Sequence, residues 1–459
     1  MTGRVTTINN SCYRGEIGTA CTDMTPPLGI YSRNWGSAKH DIADGVHRPL
    51  CAYAFVMGDS PKTLRIILTL DLVSWASRED ELGIREPVLK EFDLREDQLM
   101  MHISHNHSAP VTGIVFSHKQ GGELIAPYRE FLVKTLIACI RQALAARKPS
   151  ILSWQAGNCQ LAYNRDFPHP QTGDIICGIN PDRISDDTVL VGRVTNEEGK
   201  ITSVLVNYAC HPTSLGGANT KLSPDYPGAM RAMIEDAYSK SHCLFLHGAS
   251  GDLGPRNGYV GDTEIADQNG RELGFSALSA LEAMTPPAKQ LEFKGVQSSG
   301  AHLGIWKPQP HDVPTGSDVK LLTIELETKD MRTIAQLEKD IAASNDRAEI
   351  ERFERMTMLS QFIGGHKTLP LKLWVWKIGD SFFVGTPTEM HSEFQMKLRR
   401  DHPEVHIAVL NIVNGYTSYL PPREDYPTKS YQVNVSVFKA GAAEKVRAAV
   451  SAQIEKMKP

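Results

Sequence analysis

Short apolar runs bounded by turn residues punctuate this chain, and they predict strands. Residues 51–57 (Cys-Ala-Tyr-Ala-Phe-Val-Met), 64–71, which close on Asp71, and 100–103 are apolar almost throughout. Runs of that length without alternation fit strands buried on both faces. Residues 18–23 predict a strand that breaks at the Pro26-Pro27-Leu28-Gly29 turn, and 204–210, 244–246 and 405–411 predict three more. Residues 372–376 and 381–384, joined through Gly379-Asp380, predict a hairpin. Helical spacing takes over at Leu124, Tyr128, Phe131, Leu132, Leu136, Ile140 and Leu144, closed by Arg147-Lys148-Pro149. Two further helices are predicted over 330–359, broken near Ser344-Asn345-Asp346, and a terminal one over 440–457. Strands and helices therefore interleave over the whole length. The fold class predicted is α/β, a mixed β-sheet core with flanking helices, read as one catalytic domain over residues 1–459.

The predicted strands share a second property: they end in polar residues, namely Asp71, His105, His211, His247 and Asn411. Strand ends are where α/β sheets build ligand sites. The densest example is Ser104-His105-Asn106-His107-Ser108-Ala109-Pro110. If this segment is extended, His105 and His107 point to one side, where imidazoles serve as metal ligands or as acid and base near neutral pH. Taken alone, such a pair is more often structural. His211 ends a strand and precedes Pro212, which favours an extended backbone for it. Ser250-Gly251-Asp252-Leu253-Gly254-Pro255 is a glycine-rich turn after a strand, able to bring backbone N–H groups to an oxyanion. Glu389 follows a strand and the Pro387 turn, and Tyr416 and Tyr419 follow the strand after it.

Composition narrows the classes without choosing one. The 459 residues are 41% hydrophobic and 22% charged, with formal charge −4, so nothing in the charge balance favours nucleic acid. No secretory apolar core opens the sequence and no run approaches the ~18 apolar residues of a membrane span. The eight cysteines lie scattered, with no Cys-x-x-Cys pair. Reduced thiols in a cytoplasmic protein are the expectation. A small-molecule substrate is the expected partner, with no nucleic acid and no membrane; assembly as a homo-oligomer stays open.

Seven segments in order complete the picture: Asp23-Met24-Thr25-Pro26-Pro27, Gly45-Val46-His47-Arg48-Pro49-Leu50, the His105/His107 segment, Ala209-Cys210-His211-Pro212-Thr213-Ser214, Ser250 to Pro255, Pro387-Thr388-Glu389, and Asn414-Gly415-Tyr416-Thr417-Ser418-Tyr419. Together they resemble the catalytic domain of the neutral/alkaline, non-lysosomal ceramidase family, over about residues 16–435. That resemblance implies a zinc amidase, with His105, His211, Glu389 and Tyr419 as metal ligands and His107 as the acid/base. Zinc is the ion implied; Mn²⁺ and Fe²⁺ suit the same nitrogen and oxygen donors. Asp252 and Tyr416 are expected to assist, Asp252 by orienting the loop or a ligand histidine.

Two departures from the family pattern matter. The family's Gly-Asp-Val-Ser-Pro serine, its attacking group, is Gly254 here. Ceramidases are also secreted or membrane-associated and carry a further β-domain, whereas this chain stops one short helix beyond its last motif. A metal ion lowers the pKa of bound water to about 7, so water is the expected attacking group. The amides of Ser250, Gly251 and Gly254 would then supply oxyanion contacts. The expected activity is hydrolysis of a C–N bond in a small soluble amide or lactam, not ceramide. Ester or lactone hydrolysis, a metal-dependent lyase or isomerase with His107 as base, and a non-catalytic binding protein are the alternatives. Trp35, His47, Tyr163, Trp306 and Tyr416 are candidate pocket residues, and Arg33 and Arg165 candidate anion holders.

Overall fold

A computed structural model describes residues 7–458. The start of the segment read above as lacking a secretory core, residues 1–6, lies outside the described residues, as does residue 459. Twelve strands carry the architecture: β1 (Ser11–Asp23), β2 (Cys51–Met57), β3 (Arg65–Leu70), β4 (Leu99–Ile103), β5 (Lys148–Asn158), β6 (Thr188–Asn196), β7 (Ile201–Tyr208), β8 (His242–His247), β9 (Ser317–Glu327), β10 (Thr368–Ile378), β11 (Ser381–Thr386) and β12 (His406–Asn411). The helices that matter here are α1 (Arg78–Glu91), α2 (Ile125–Ala145), α3 (Tyr226–Ala237), α4 (Thr263–Glu282), α5 (Ile334–Ala343), α6 (Arg347–Ile363), α7 (Ser392–Asp401) and α8 (Ala442–Met457).

The first eight strands form one mixed sheet in the order β8-β7-β6-β5-β1-β2-β3-β4, and the last four form a second, β9-β10-β11-β12. The sheets pack face to face, because alternate residues of each strand point inward. Tyr53 and Phe55 of β2 and Leu244 and Leu246 of β8 meet Trp374, Trp376 and Phe383 of the second sheet in one buried cluster. The intervening residues point to helices. Ala52, Ala54 and Val56 pack under α2, Cys243 and Phe245 under α3 and α4, and Phe382 and Val384 under α7 and α8. Strands covered on both sides explain the unbroken apolar runs in the sequence.

Within these two sheets three strand pairs are parallel: β3 with β4, β7 with β8, and β11 with β12. Each is a strand–helix–strand unit, crossed by α1, α3 and α7 respectively, as parallel neighbours require. The carboxyl ends of these pairs release the segments that carry His105, His211, His247, Glu389 and Tyr419. The site lies there because parallel pairs direct all their C-terminal ends the same way.

The HxH segment departs from the extended path predicted for it. β4 stops at Ile103, Ser104 N–H donates one last bond to Leu70 O at 2.8 Å, and His105 then adopts φ +65°. The alternation of an extended strand does not apply past that point. His105 and His107 still converge, with ring centroids 4.9 Å apart, but a turn brings them together. The loop after β12 is similarly bent, with Ile412, Asn414 and Ser418 at positive φ, and Asn414 ties it to β4. Its Oδ1 accepts from Met101 N–H at 2.8 Å and its amide donates to Leu99 O at 2.7 Å.

Candidate metal centre

Three imidazoles and a carboxylate meet in the interior. The ligand atoms of His105, His107 and His211 all lie within 4.8 Å of one another, and Glu389 Oε2 stands 2.9 Å from His211 Nε2 and 3.2 Å from His105 Nε2. The opposite ring edges settle the tautomers. His211 Nδ1–H donates to Ser250 O at 2.7 Å and His105 Nδ1–H to Val73 O at 2.5 Å. A neutral imidazole that donates from Nδ1 has a bare lone pair at Nε2. Burial, and after it the Arg165 charge, lower His211 to about 4, so it is neutral at pH 7.

Lone pairs turned on a carboxylate oxygen repel it unless a cation lies between them. Donor atoms of one tetrahedral zinc stand roughly 3.3 Å apart, which fits these separations. His105 Nε2 and both nitrogens of His107 are buried without a hydrogen-bond partner. The cluster is chemically suited to hold a metal ion.

The surrounding groups fix the donors. Tyr416 O–H donates to Glu389 Oε1 at 2.8 Å. Arg165 Nη2 donates to Tyr419 Oη at 3.0 Å, and that oxygen lies 3.3 Å from His211 Nε2. Glu389 and Tyr419 face each other across a short parallel bridge, so both arrive in fixed register. His107 differs from its neighbours. It is half-buried and lines a small cavity with Ser32, Asn34, Trp35, Asn219 and Lys221, while His105 and His211 are enclosed. It stands close enough to His105 and His211 to complete a three-nitrogen set, a role that would exclude the acid/base one expected of it.

Other expected residues lie elsewhere. Asp252 touches none of the three histidines. Its carboxylate accepts from Ser392 N–H at 2.6 Å and Ser392 O–H at 2.8 Å, and from Asn164 at 3.3 Å, so it anchors the loop to the start of α7. Nor is the glycine-rich turn a row of free amides. Gly251 N–H donates to Met390 O and Leu253 N–H to Ser250 O, and Gly254 pairs with Tyr163 in a short strand bridge. The Ser250 hydroxyl lies 2.6 Å from His247 Nε2 and 3.3 Å from His211 Nδ1. It therefore sits on the far side of the His211 ring from Glu389.

Arg33 is occupied by Gly36 O, Ala38 O and Glu351, whereas Arg165 gives Nη2 to Gly251 O and Tyr419 and keeps a buried Nε without a partner. His47 pairs with Ser223 and Asp267. Trp306 packs edge-on against Phe293 in a separate antiparallel sheet. Trp35 does line the cavity, 5.0 Å from the His107 ring.

Sequence reasoning leaves His102 and His247 without a role. His102 Nδ1–H donates to Asn411 O at 2.8 Å while Nε2 accepts from His247 N–H at 2.8 Å, so only the neutral ring satisfies both partners. Burial lowers its pKa to about 3. An unfolded histidine titrates near 6.5; between those values the unfolded chain binds more protons, and stability falls as pH falls. The thermal midpoint of chelator-treated protein is expected to drop from pH 7 toward pH 4. His102→Gln should flatten that slope, measured by differential scanning calorimetry; an unchanged slope would exclude His102 as its source.

Among the described residues no helix is long and apolar enough to cross a membrane. No family model and no curated protein matches the chain. Its fold is that of two solved structures, a neutral ceramidase from Pseudomonas aeruginosa and a ceramidase complexed with C2. Each superposes with a TM-score of 0.68 at 16% identity, covering 98% of this chain and 76% of the other.

Proposed function

We propose that this protein is a metal-dependent hydrolase that cleaves the C–N bond of a small amide or lactam with water, on a ceramidase fold without the family serine. The observation that carries the reading is the pair of imidazole Nε2 atoms turned on the Glu389 carboxylate, each ring giving its Nδ1 side to a backbone carbonyl. His105, His211, Glu389 and Tyr419 would hold the ion, zinc by preference, with Mn²⁺ or Fe²⁺ accommodated by the same donors. When bound, a divalent cation supplies Lewis acidity and makes water a nucleophile near neutral pH.

The remaining work belongs to the chain. Tyr416 keeps Glu389 in orientation. Burial, then His105 and His211, lower His107 well below the ordinary histidine range, so at pH 7 it is neutral and able to accept a proton. From the cavity wall it takes a proton from attacking water and returns it to the departing nitrogen. Gly254 offers no hydroxyl, and Ser250 is turned to His247, so water does the attacking. The polar lining from Asn34, Asn219 and Lys221 favours a small polar substrate over a long acyl chain. Eight unpaired cysteines support a reducing, cytoplasmic setting. Ligands drawn from positions 105 to 419 support treating residues 1–459 as one catalytic unit.

The test is turnover of a panel of small amides and lactams in ¹⁸O-labelled water. Label in the product acid is expected, with activity lost to a chelator and restored by zinc. Turnover that leaves the label in solvent would replace hydrolysis by a lyase or isomerase.

A further inference from the structure

Tyr259 is the residue the site leaves unexplained. Its hydroxyl is buried and has no hydrogen-bond partner, although a buried phenol usually finds one. Its backbone is at φ +61°, a conformation that a bulky aromatic residue adopts only when its surroundings enforce it. They do: Tyr259 N–H donates to Thr213 O at 2.9 Å and Val260 N–H to Ser214 O at 3.1 Å, which fastens this turn to the segment that leaves His211. The ring stands edge-on to Trp35, 5.8 Å between centroids, and Trp35 in turn lies 5.0 Å from His107. Trp35 Nε1 is likewise buried and unpartnered.

Gly254 completes the arrangement. Its φ is not in the left-handed region, so backbone conformation does not demand glycine there. Space does: a Cβ at 254 would come 2.9 Å from Tyr259 Oη. The phenol thus reaches into the room that a side chain at 254 would fill. Two donors without a geometric hydrogen-bond partner, the Tyr259 hydroxyl and the Trp35 indole N–H, thus belong to rings in edge contact, and Trp35 lines the cavity that His107 also lines.

We infer that the Tyr259 hydroxyl donates a hydrogen bond to the carbonyl oxygen of the substrate as water adds to the carbonyl carbon, which makes Tyr259 a catalytic residue. The inference rests on the hydrolase reading above. As water adds, the C=O π pair moves to oxygen, and Tyr259 O–H stabilises that charge without giving up its proton. Burial pushes the phenol pKa up, which keeps the donor proton in place. The class of ligand is one that presents an acceptor oxygen, carbonyl or tetrahedral anion, to this wall.

Methylphosphonate, a tetrahedral anion, is the probe. Calorimetric titration of zinc-loaded and chelator-stripped protein compares wild type, Tyr259→Phe and Gly254→Ala. Tyr259→Phe is expected to weaken binding about tenfold or more, with bound metal and thermal midpoint unchanged. Gly254→Ala should weaken it too, by displacing the phenol. Equal affinity in wild type and Tyr259→Phe, or no binding by zinc-loaded wild type, overturns the assignment. Absence of metal from the wild type would instead defeat the hydrolase reading, while the stripped-protein titrations still report on Tyr259.

Discussion

Replacing His105 and His211 together by alanine is expected to take bound divalent metal from close to one ion per chain to none, read by elemental analysis of purified protein. Both rings turn Nε2 on Glu389 and give Nδ1–H to a backbone carbonyl, so neither is replaceable by a neighbour without rebuilding its loop. Removing both leaves Glu389 and Tyr419 facing a void with only His107 as a nitrogen donor. That set is too weak to retain zinc through purification. The double variant should also lose the rise in thermal midpoint that added zinc gives the wild type, because an ion stabilises only the state that binds it. Full occupancy in the double variant would put the metal elsewhere and end the proposal.

The second large effect concerns stability. Arg231 of α3 donates to both oxygens of Asp71, at 3.0 and 2.6 Å, with both side chains buried. Asp71 also accepts from Cys51 N–H at 2.9 Å, and the guanidinium lies 5.0 Å over the Tyr53 ring. Arg231→Met leaves a buried carboxylate uncompensated, at a cost of about 3–5 kcal/mol in urea denaturation. A double variant with Asp71→Leu should recover much of it, since replacing both charges by apolar groups is often near neutral. Metal content should stay at the wild-type level in either variant. Loss below about 1 kcal/mol for Arg231→Met would show that Asp71 is solvated or protonated.

Where one residue decided an element, the sequence could be read. Residues 51–57 form β2 as the apolar run predicts, and the break between α5 and α6 falls at Ser344 to Asp346, where the Asp346 side chain caps α6. Where a tertiary partner decided, the pattern was silent. α1 is mostly charged and contains Pro87, yet it buries Ile84 and Val88. α4 carries Gly270 and Gly274, which weaken any helix forecast. Gly270 is there because α3 runs close by, and a Cβ would meet Tyr226 O at 2.4 Å. The same division holds at the site. His105 and His211 stand out as polar residues at the ends of apolar runs, although the histidine pair converges through a turn, and Glu389 stands out only through the family resemblance. Asp71 was visible as a strand-ending acid, but its partner 160 positions away was not. Tyr259 offers no signal at all, for its meaning depends on the empty side-chain position at Gly254.

The Asn414 clasp has a further consequence. β4 is an edge of the eight-stranded sheet, and an open edge invites a strand from another molecule. Here Leu99 O, Met101 N–H and Met101 O are all taken by the one asparagine, through its side chain and its own amide. A foreign strand finds no row of vacant donors and acceptors along this margin, so fibril-like stacking of copies is blocked on the side of the sheet that delivers His105.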